Sequence, residues 1–198
     1  MTYPASLIQL ITALKKLPGV GKKSAERFAF KMINWSEKDI KDFITSIENV
    51  KKRLNSCPTC GALIELSSCP FCHSQKRDTS VLCIVSSAKD IFALEEVRLF
   101  NGIYHVLETL LSPIDQKFEE NLHLDSLVKR IEILEVKEVI LALDSTLEGD
   151  ATSLFIKNEL KTLGVNISRL ALGLPLGSTL DFVDEGTLSR AFMGRSSF

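Results

Sequence analysis

The sequence predicts an α/β protein in several parts: a small helical unit, a metal-binding knuckle, a larger domain with a parallel sheet, and a C-terminal tail. Three observations predict this order. Helical periodicity dominates the first third of the chain, two C-x-x-C pairs follow it, and short β-rich runs then alternate with helical stretches. A chain of 198 residues, 45% of them hydrophobic, is long enough for one large domain or two small ones.

The first part, residues 1–54, is predicted to consist of amphipathic helices. Apolar residues recur at helical spacing over residues 7–17, and Pro18-Gly19-Val20-Gly21 then interrupts the pattern. The periodicity resumes at Ala25 and again after Ser36, a residue that suits a helix N-cap. We therefore expect two helices joined by a glycine turn (residues 18–21), followed by a third helix.

The glycine turn is a candidate phosphate-binding site. Gly19 and Gly21 permit positive φ and a close approach of the main chain. Backbone amides at the start of the next helix can face a phosphate, and Lys22, Lys23 and Arg27 lie where they could add positive charge. The alternative is a tight turn between helices with a solvated lysine face.

Residues 55–79 contain the strongest single motif of the chain. Cys57 and Cys60 form one C-x-x-C pair, Cys69 and Cys72 form a second, and eight residues separate the pairs. Four thiolates at this spacing can complete a tetrahedral shell around Zn²⁺, which leaves no position for an activated water. The motif predicts a structural zinc ion, with buried reduced cysteines as the alternative. We interpret the adjacent His73 as a surface histidine.

The third part, residues 80–172, is predicted to form a compact α/β domain. Continuous apolar runs are typical of parallel strands buried on both faces, and their alternation with helices is typical of βαβ units. Strands are expected near residues 81–85, 104–107, 139–143 and 166–171, and helices near 88–100, 122–134 and 151–163.

Three carboxylates follow the third of these strands. Asp144, Glu148 and Asp150 are expected outside the carboxyl edge of the sheet, where open α/β folds bind ligands. Weak Mg²⁺ binding is one interpretation, and a docking patch for a basic partner is another. The third is a solvated loop with acidic residues at a helix start.

The tail, residues 173–198, is too short to fold alone. It is expected to contain a strand at 180–183 and a short helix near 187–192, and to pack on another part of the molecule or on another subunit. The sequence has no apolar run of membrane-spanning length and no secretory signal, so we expect a cytoplasmic protein without a membrane partner.

The net charge of −1 conceals an asymmetry along the chain. Residues 1–80 carry 13 Lys and Arg against 7 Asp and Glu, a net charge of +6, whereas residues 81–198 carry 11 against 18, a net charge of −7. A basic region suits a polyanion because each neutralised phosphate releases counterions. The two regions are therefore expected to have different partners.

This series of motifs resembles the RecR family of recombination mediators. The glycine turn and its helices are similar to a helix-hairpin-helix motif, residues 80–172 to a Toprim domain, and residues 174–184 to the Walker B-like segment of that family. Catalytic Toprim domains hold Mg²⁺ with a glutamate and an Asp-x-Asp pair, but Ser86 and Thr146 stand at two of those positions. Since the sequence has no G-x-x-x-x-G-K-[ST] loop, ATP hydrolysis is not expected.

The resemblance implies a non-catalytic scaffold that clamps DNA in recombinational DNA repair. It implies a homotetrameric ring, assembled through the helical units and swapped tails, and a location at the nucleoid. The implied partners are RecO and RecF, which help RecA displace single-strand-binding protein at gaps. Lys23 and Arg27 match the DNA-contacting residues of the family, and Glu148 and Asp150 match acids that the resemblance connects with RecO docking.

Two other functions stay open on the sequence. One is a Toprim-type magnesium-dependent nuclease or primase-like phosphoryl transferase that uses Asp144, Glu148 and Asp150. The other is a zinc-dependent DNA-binding regulator, although the paired glycines favour contacts with the DNA backbone over contacts with bases. DNA cleavage that Asp144→Ala abolishes would support the first, and strong preference for one duplex sequence would support the second.

Overall fold

The computed structural model describes residues 3–65, 68–72, 76–122, 124–171 and 173–195. The chain divides into two compact units, Met1–Leu54 and Asn55–Phe198, each of which is described by itself. Within the described ranges, every helix is too short or too polar to cross a bilayer.

The described part of the first unit consists of three helices: α1 (Ala5–Leu14), α2 (Lys22–Ile33) and α3 (Glu37–Arg53). The first two pack on each other through Ile11, Ala25 and Ala29, which are almost completely buried. Alanine at the contact lets the two helix backbones approach closely. The prediction of two helices joined by a glycine turn, followed by a third, is confirmed.

The third helix is well capped and packs only loosely within the unit, where the ring of Phe43 contacts that of Trp35 edge-on with the ring centroids 5.5 Å apart. The Asp39 amide donates to the Ser36 side chain at 3.1 Å, and the Ser36 amide donates to the Asp39 carboxylate at 3.3 Å, which is a capping box. No residue of α3 is buried in the described chain. Its apolar side chains recur at helical spacing and remain exposed: Ile40, Phe43, Ile44, Ile47 and Val50.

The second unit begins with a small antiparallel hairpin around the first cysteine pair. Its strands, β1 (Asn55–Ser56) and β2 (Leu63–Ile64), contain two residues each. Sequence periodicity did not predict them because a two-residue strand has no repeating pattern.

A four-stranded parallel sheet forms the centre of the second unit, in the order β4-β3-β5-β6. The strands are β3 (Asp78–Val85), β4 (Gly102–Val106), β5 (Glu138–Ala142) and β6 (Asn166–Arg169). The helices are α4 (Ala88–Val97), α5 (Leu124–Ile133) and α6 (Leu147–Leu160), with 3-10 turns at Glu119–Leu122 and Lys161–Leu163. The predicted α/β domain with parallel strands is confirmed.

Two apolar clusters cover the two faces of this sheet, because successive strand residues point to opposite faces. One face packs on α5 and α6 through Leu82, Ile84, Leu127, Ile156 and Leu160. The other face packs on α4 and on the cysteine pairs through Cys83, Val85, Ile91, Tyr104 and Cys60. The knuckle therefore shares a core with the sheet.

The tail ends in α7 (Glu185–Met193), which Asp184 caps, so the helix predicted near 187–192 is confirmed. The strand predicted at 180–183 is wrong, because Leu180–Phe182 form a 3-10 turn. Leu180 and Phe182 are 60% and 91% exposed, and a strand there would have no described neighbour to pair with. The amide of Phe182 instead donates to the carbonyl of Thr179. The Walker B-like segment is thus not an apolar strand in this structure.

Candidate nucleic-acid interface and metal centre

The glycine turn positions the start of α2. The amide of Val20 donates to the carbonyl of Leu17 at 3.1 Å, and Gly19 between them has a φ of +77°, which favours glycine. Gly21 is the N-cap of α2, its φ is −77°, and a Cβ added there would meet nothing within 4 Å. The backbone therefore requires a glycine at position 19, whereas Gly21 leaves open space in front of the helix.

The cations of α2 border this helix start. Lys22, Lys23 and Arg27 are exposed, and Lys23 and Arg27 lie on one helix face because they are four residues apart. Gly21 offers no side chain to the first amides of α2, and those amides have no acceptor within the helix. In the described ranges no carboxylate forms an ion pair with these cations. Free amides, the helix dipole and unpaired cations together suit a phosphate.

The four cysteines of the knuckle form one compact cluster. The Sγ atoms of Cys57, Cys60, Cys69 and Cys72 all lie within 4.8 Å of one another, and those of the Cys57–Cys72 and Cys60–Cys69 pairs are 3.6 Å apart. A tetrahedral site with Zn–S bonds of about 2.3 Å requires sulfur atoms about 3.8 Å apart. The cluster therefore fits a structural Zn²⁺ ion, as predicted. His73 lies outside the described residues.

Backbone hydrogen bonds hold the first cysteine pair in a tight turn. The amide of Cys57 donates to the carbonyl of Ala62 at 2.8 Å, and the amide of Gly61 donates to the carbonyl of Cys57 at 2.9 Å. Gly61 has a φ of +74°, and a Cβ there would lie 2.8 Å from Cβ of Val106. Since the amide of Val106 donates to the carbonyl of Cys60 at 2.9 Å, the turn lies directly on β4.

The cluster holds protons that a metal ion would displace. Burial raises the pKa of Cys69 to about 11, and the hydrogen bond with Cys60 raises the pKa of Cys72. The same hydrogen bond lowers the pKa of Cys60 to about 5. Because zinc binds thiolates, its binding releases the remaining protons and weakens as the pH falls.

Arg77 attaches the knuckle to the sheet. Its guanidinium forms an ion pair with Glu95 at 2.7 Å and donates to the carbonyl of Gly102 at 3.0 Å. It also lies over the rings of Phe71 and Tyr104, at 5.4 and 5.5 Å from their centroids. The sequence did not point to this residue because a single arginine after the cysteine motif has no pattern around it.

Asp144 and Glu148 lie at the carboxyl edge of the sheet, where they line an open cavity of about 350 Å³. Oγ of Ser86, at the position where the resemblance expects a glutamate, lies 3.3 Å from Oδ2 of Asp144. Thr146, at a position where a second aspartate is expected, caps α6 by accepting from the amide of Gly149 at 3.1 Å. This cap explains why α6 begins earlier than predicted. The two substitutions leave fewer anionic ligands than a phosphoryl-transfer site uses.

Asp150 does not share this cavity. Its Oδ1 lies 2.5 Å from Nη2 of Arg169, and its Oδ2 lies 2.8 Å from Nη2 of Arg190. Arg190 belongs to α7 and also donates to Oγ of Ser145 at 2.6 Å. These contacts, which we call the Asp150 clasp, hold the C-terminal helix to the end of the sheet. The three carboxylates that the sequence places together are therefore divided in the structure: Asp144 and Glu148 line the cavity, whereas Asp150 forms ion pairs.

Descriptions of known families match every part of this architecture except the knuckle. Three family descriptions match successive segments: "RecR, helix-hairpin-helix" matches residues 7–51, "Toprim domain" matches residues 80–171, and "RecR, C-terminal" matches residues 173–196. The three matches follow the order in which the helical unit, the sheet domain and the tail occur along the chain.

Full-length relatives cover the knuckle as well. The chain is 48% identical to "Recombination protein RecR" of Protochlamydia amoebophila (strain UWE25) over 198 residues, 100% of both chains. It is 52% identical to the protein of the same name from Chlamydia pneumoniae over 198 residues, 99% of this chain and 98% of that one. With similarity along its whole length and three matching segments in order, the chain belongs to the RecR family of recombination proteins.

Proposed function

We propose that this protein is a DNA-binding mediator of recombinational repair that grips DNA phosphates with the α1–α2 hairpin. The observation that carries the proposal is the open, cationic start of α2, where uncapped amides lie next to exposed lysines. The proposed DNA-contacting residues are Gly19, Gly21, Lys22, Lys23 and Arg27. Since all of these contacts suit phosphates, we expect no preference for a base sequence.

The chain is not an enzyme, since it belongs to a family of mediator proteins. The zinc ion, held by Cys57, Cys60, Cys69 and Cys72, has a structural role because four protein ligands complete its shell. It organises the knuckle on the sheet and supplies no reactive position.

We propose that the partners are those of the family resemblance: RecO and RecF, which act with this protein to help RecA displace single-strand-binding protein on gapped DNA. Asp144 and Glu148 provide carboxylates at the sheet edge that suit a basic docking surface on RecO. Asp150 is paired with Arg169 and Arg190 in this structure. It contributes to the same docking surface when cations of RecO take the place of these two arginines.

We also propose a homotetrameric ring that acts in the cytoplasm at the nucleoid. The uncovered apolar face of α3 supports assembly through the helical unit, residues 1–54. The exposed apolar side chains of the tail, residues 173–198, support assembly through a second interface: Leu176, Phe182, Phe192 and Met193. Along the sequence, the helical unit and the tail are separated by the knuckle, residues 55–79, and the Toprim domain, residues 80–172.

RecA assembly on gapped DNA coated with single-strand-binding protein tests this function. With RecO and RecF present, we expect the protein to shorten the delay before RecA assembles. Lys23→Ala with Arg27→Ala should remove most of this effect, whereas Lys38→Ala with Lys41→Ala, two exposed lysines of α3, should retain it. No acceleration by the unaltered protein, or DNA cleavage by it in Mg²⁺, would contradict the proposal.

A further inference from the structure

Arg130 is a charged residue on the buried face of α5. It lies between Leu127 and Ile131 in the apolar pattern of the helix and is 7% exposed. Its Nη1 donates to the carbonyl of Tyr104 at 2.5 Å, but its Nε and Nη2 are buried and have no acceptor among the described residues. In the described chain no carboxylate pairs with it. A buried guanidinium with free donors is costly unless negative charge lies beside it.

The hydrogen bond to Tyr104 places the guanidinium at the outer edge of β4. One edge of β4 pairs with β3, and the backbone groups of Tyr104 and Val106 face the other edge. The amide of Val106 donates there to the carbonyl of Cys60 at 2.9 Å. Arg130 and Cys60 are thus attached to the same strand edge two residues apart, a spacing of about 7 Å.

The cysteine cluster is the source of negative charge at this edge. Four thiolates around one Zn²⁺ ion leave a net charge of about −2 in a buried place. Burial lowers the pKa of Arg130, and attraction to all four cysteines opposes that effect. Among the residues that the structure describes, the charge that could compensate the guanidinium is therefore that of the cysteine cluster.

We infer that Arg130 is the counter-charge of the zinc–tetrathiolate centre: it offsets part of the excess negative charge and so holds the ligands in their metal-binding form. The inference deepens the zinc assignment and is independent of the proposed DNA contacts. It also explains why an arginine stands on the apolar face of α5, where leucine or isoleucine would pack without a charge. Because it acts through the cysteines, Arg130 is a positioning residue for the metal.

Zinc release from the full-length protein tests this inference. Arg130→Gln keeps a donor for the carbonyl of Tyr104 but removes the charge, whereas Arg130→Lys keeps the charge. Transfer of zinc to a chromogenic chelator should be about tenfold faster, or more, for Arg130→Gln, because loss of an outer-shell partner weakens metal binding by about 10- to 100-fold. Arg130→Lys should retain most of the affinity.

The matched control is Arg169→Gln. Arg169 also has a buried Nε without an acceptor, but it lies on β6 and pairs with Asp150. Its replacement should leave the rate of zinc release unchanged. A general effect of removing an arginine with a buried, unsatisfied Nε would accelerate zinc release in both proteins and would overturn the inference.

Replacement of zinc by cobalt gives a second measurement, an absorption band that would not change if Arg130 had a purely structural role. The thiolate-to-cobalt charge-transfer band depends on the electron density of the sulfur atoms, so loss of the counter-charge should shift it to lower energy in Arg130→Gln. Arg130→Lys should restore part of the shift. An unshifted band together with wild-type zinc release in folded Arg130→Gln would overturn the inference. If Arg130→Gln does not fold, the same two measurements on Arg130→Met decide in the same way.

Discussion

At the scale of single residues, Gly19 and Gly21 stand two positions apart in one turn but have different physical roles. Gly19 has a positive φ, so any side chain there strains the backbone. Gly21 has an ordinary φ and faces open space, so nothing in the described part of the chain requires a glycine there. A requirement for glycine at this position would therefore come from a ligand that approaches the helix start.

This difference gives a paired prediction. Gly19→Ala should lower the free energy of unfolding by about 1–2 kcal/mol, the cost of a left-handed non-glycine residue. Gly21→Ala should cost less than about 1 kcal/mol, because alanine is only a poorer N-cap than glycine, but it should weaken DNA binding by more than Gly19→Ala does. Chemical denaturation and DNA titration measure the two effects. Equal effects of both changes on DNA affinity would contradict the assignment of Gly21.

The Arg77–Glu95 pair predicts a dependence of stability on pH. The hydrogen bond from Arg77 lowers the pKa of Glu95 below its ordinary value of 4.5. The pair therefore stabilises the fold above that value and ceases to do so as the pH falls through the lower pKa of the folded state. Glu95→Gln should reduce stability at neutral pH and make its loss in acid less steep.

Chemical denaturation at several pH values between about 3 and 7 measures how the free energy of unfolding depends on pH. The control is Glu96→Gln, a change at the exposed neighbour of Glu95 on the same helix. Since Arg77 also contacts the knuckle, bound zinc is measured at each pH, and the comparison is made where both proteins retain the metal. If the free energy of unfolding falls equally steeply with decreasing pH in the two variants, the Arg77–Glu95 pair does not contribute to the pH dependence of stability.

Some of these residues could be found from the sequence and others could not. The four cysteines and the paired glycines form short motifs, so their residue types and spacing were sufficient. The contact of Arg130 joins residues 26 positions apart, and the Asp150–Arg190 contact joins residues 40 positions apart. No periodic pattern records such a pairing. Only the position of Arg130 on an apolar helix face was a visible signal.

At the scale of elements, helices and parallel strands were predictable because periodicity and apolar runs extend over many residues. In the tail, the helix was predictable but the conformation of residues 180–183 was not, since no strand partner that would decide between strand and turn is visible in the sequence. What holds the tail instead is the Asp150 clasp, which joins α7 to α6 and β6.

Removal of the clasp should loosen α7. Asp150→Asn loses both ion pairs, and two partly exposed pairs together contribute about 1 kcal/mol, so amide hydrogen exchange in α7 should accelerate by about fivefold. Glu148→Gln, on the same helix and outside the clasp, is the control. If α7 exchanges at the same rate in Asp150→Asn and wild type, the clasp does not hold the helix.

At the scale of the whole molecule, the exposed apolar face of α3 predicts self-association. Phe43→Asp with Ile47→Asp places two charges on this face and should reduce the mass of the particle in solution, because burying a carboxylate in an apolar interface is costly. Thr45→Asp lies on the opposite side of the helix and should leave the mass unchanged. Light scattering after size-exclusion chromatography distinguishes them, and an unchanged mass for the double variant would exclude α3 from the interface.

The most direct test of the central claim, that the start of α2 grips DNA phosphates, is the salt dependence of DNA binding. The slope of log affinity against log salt should decrease by about 2 per bound protomer when Lys23→Ala and Arg27→Ala remove two phosphate contacts. Lys38→Ala with Lys41→Ala should retain the wild-type slope. An unchanged slope in a folded, zinc-containing Lys23→Ala, Arg27→Ala protein would contradict the claim.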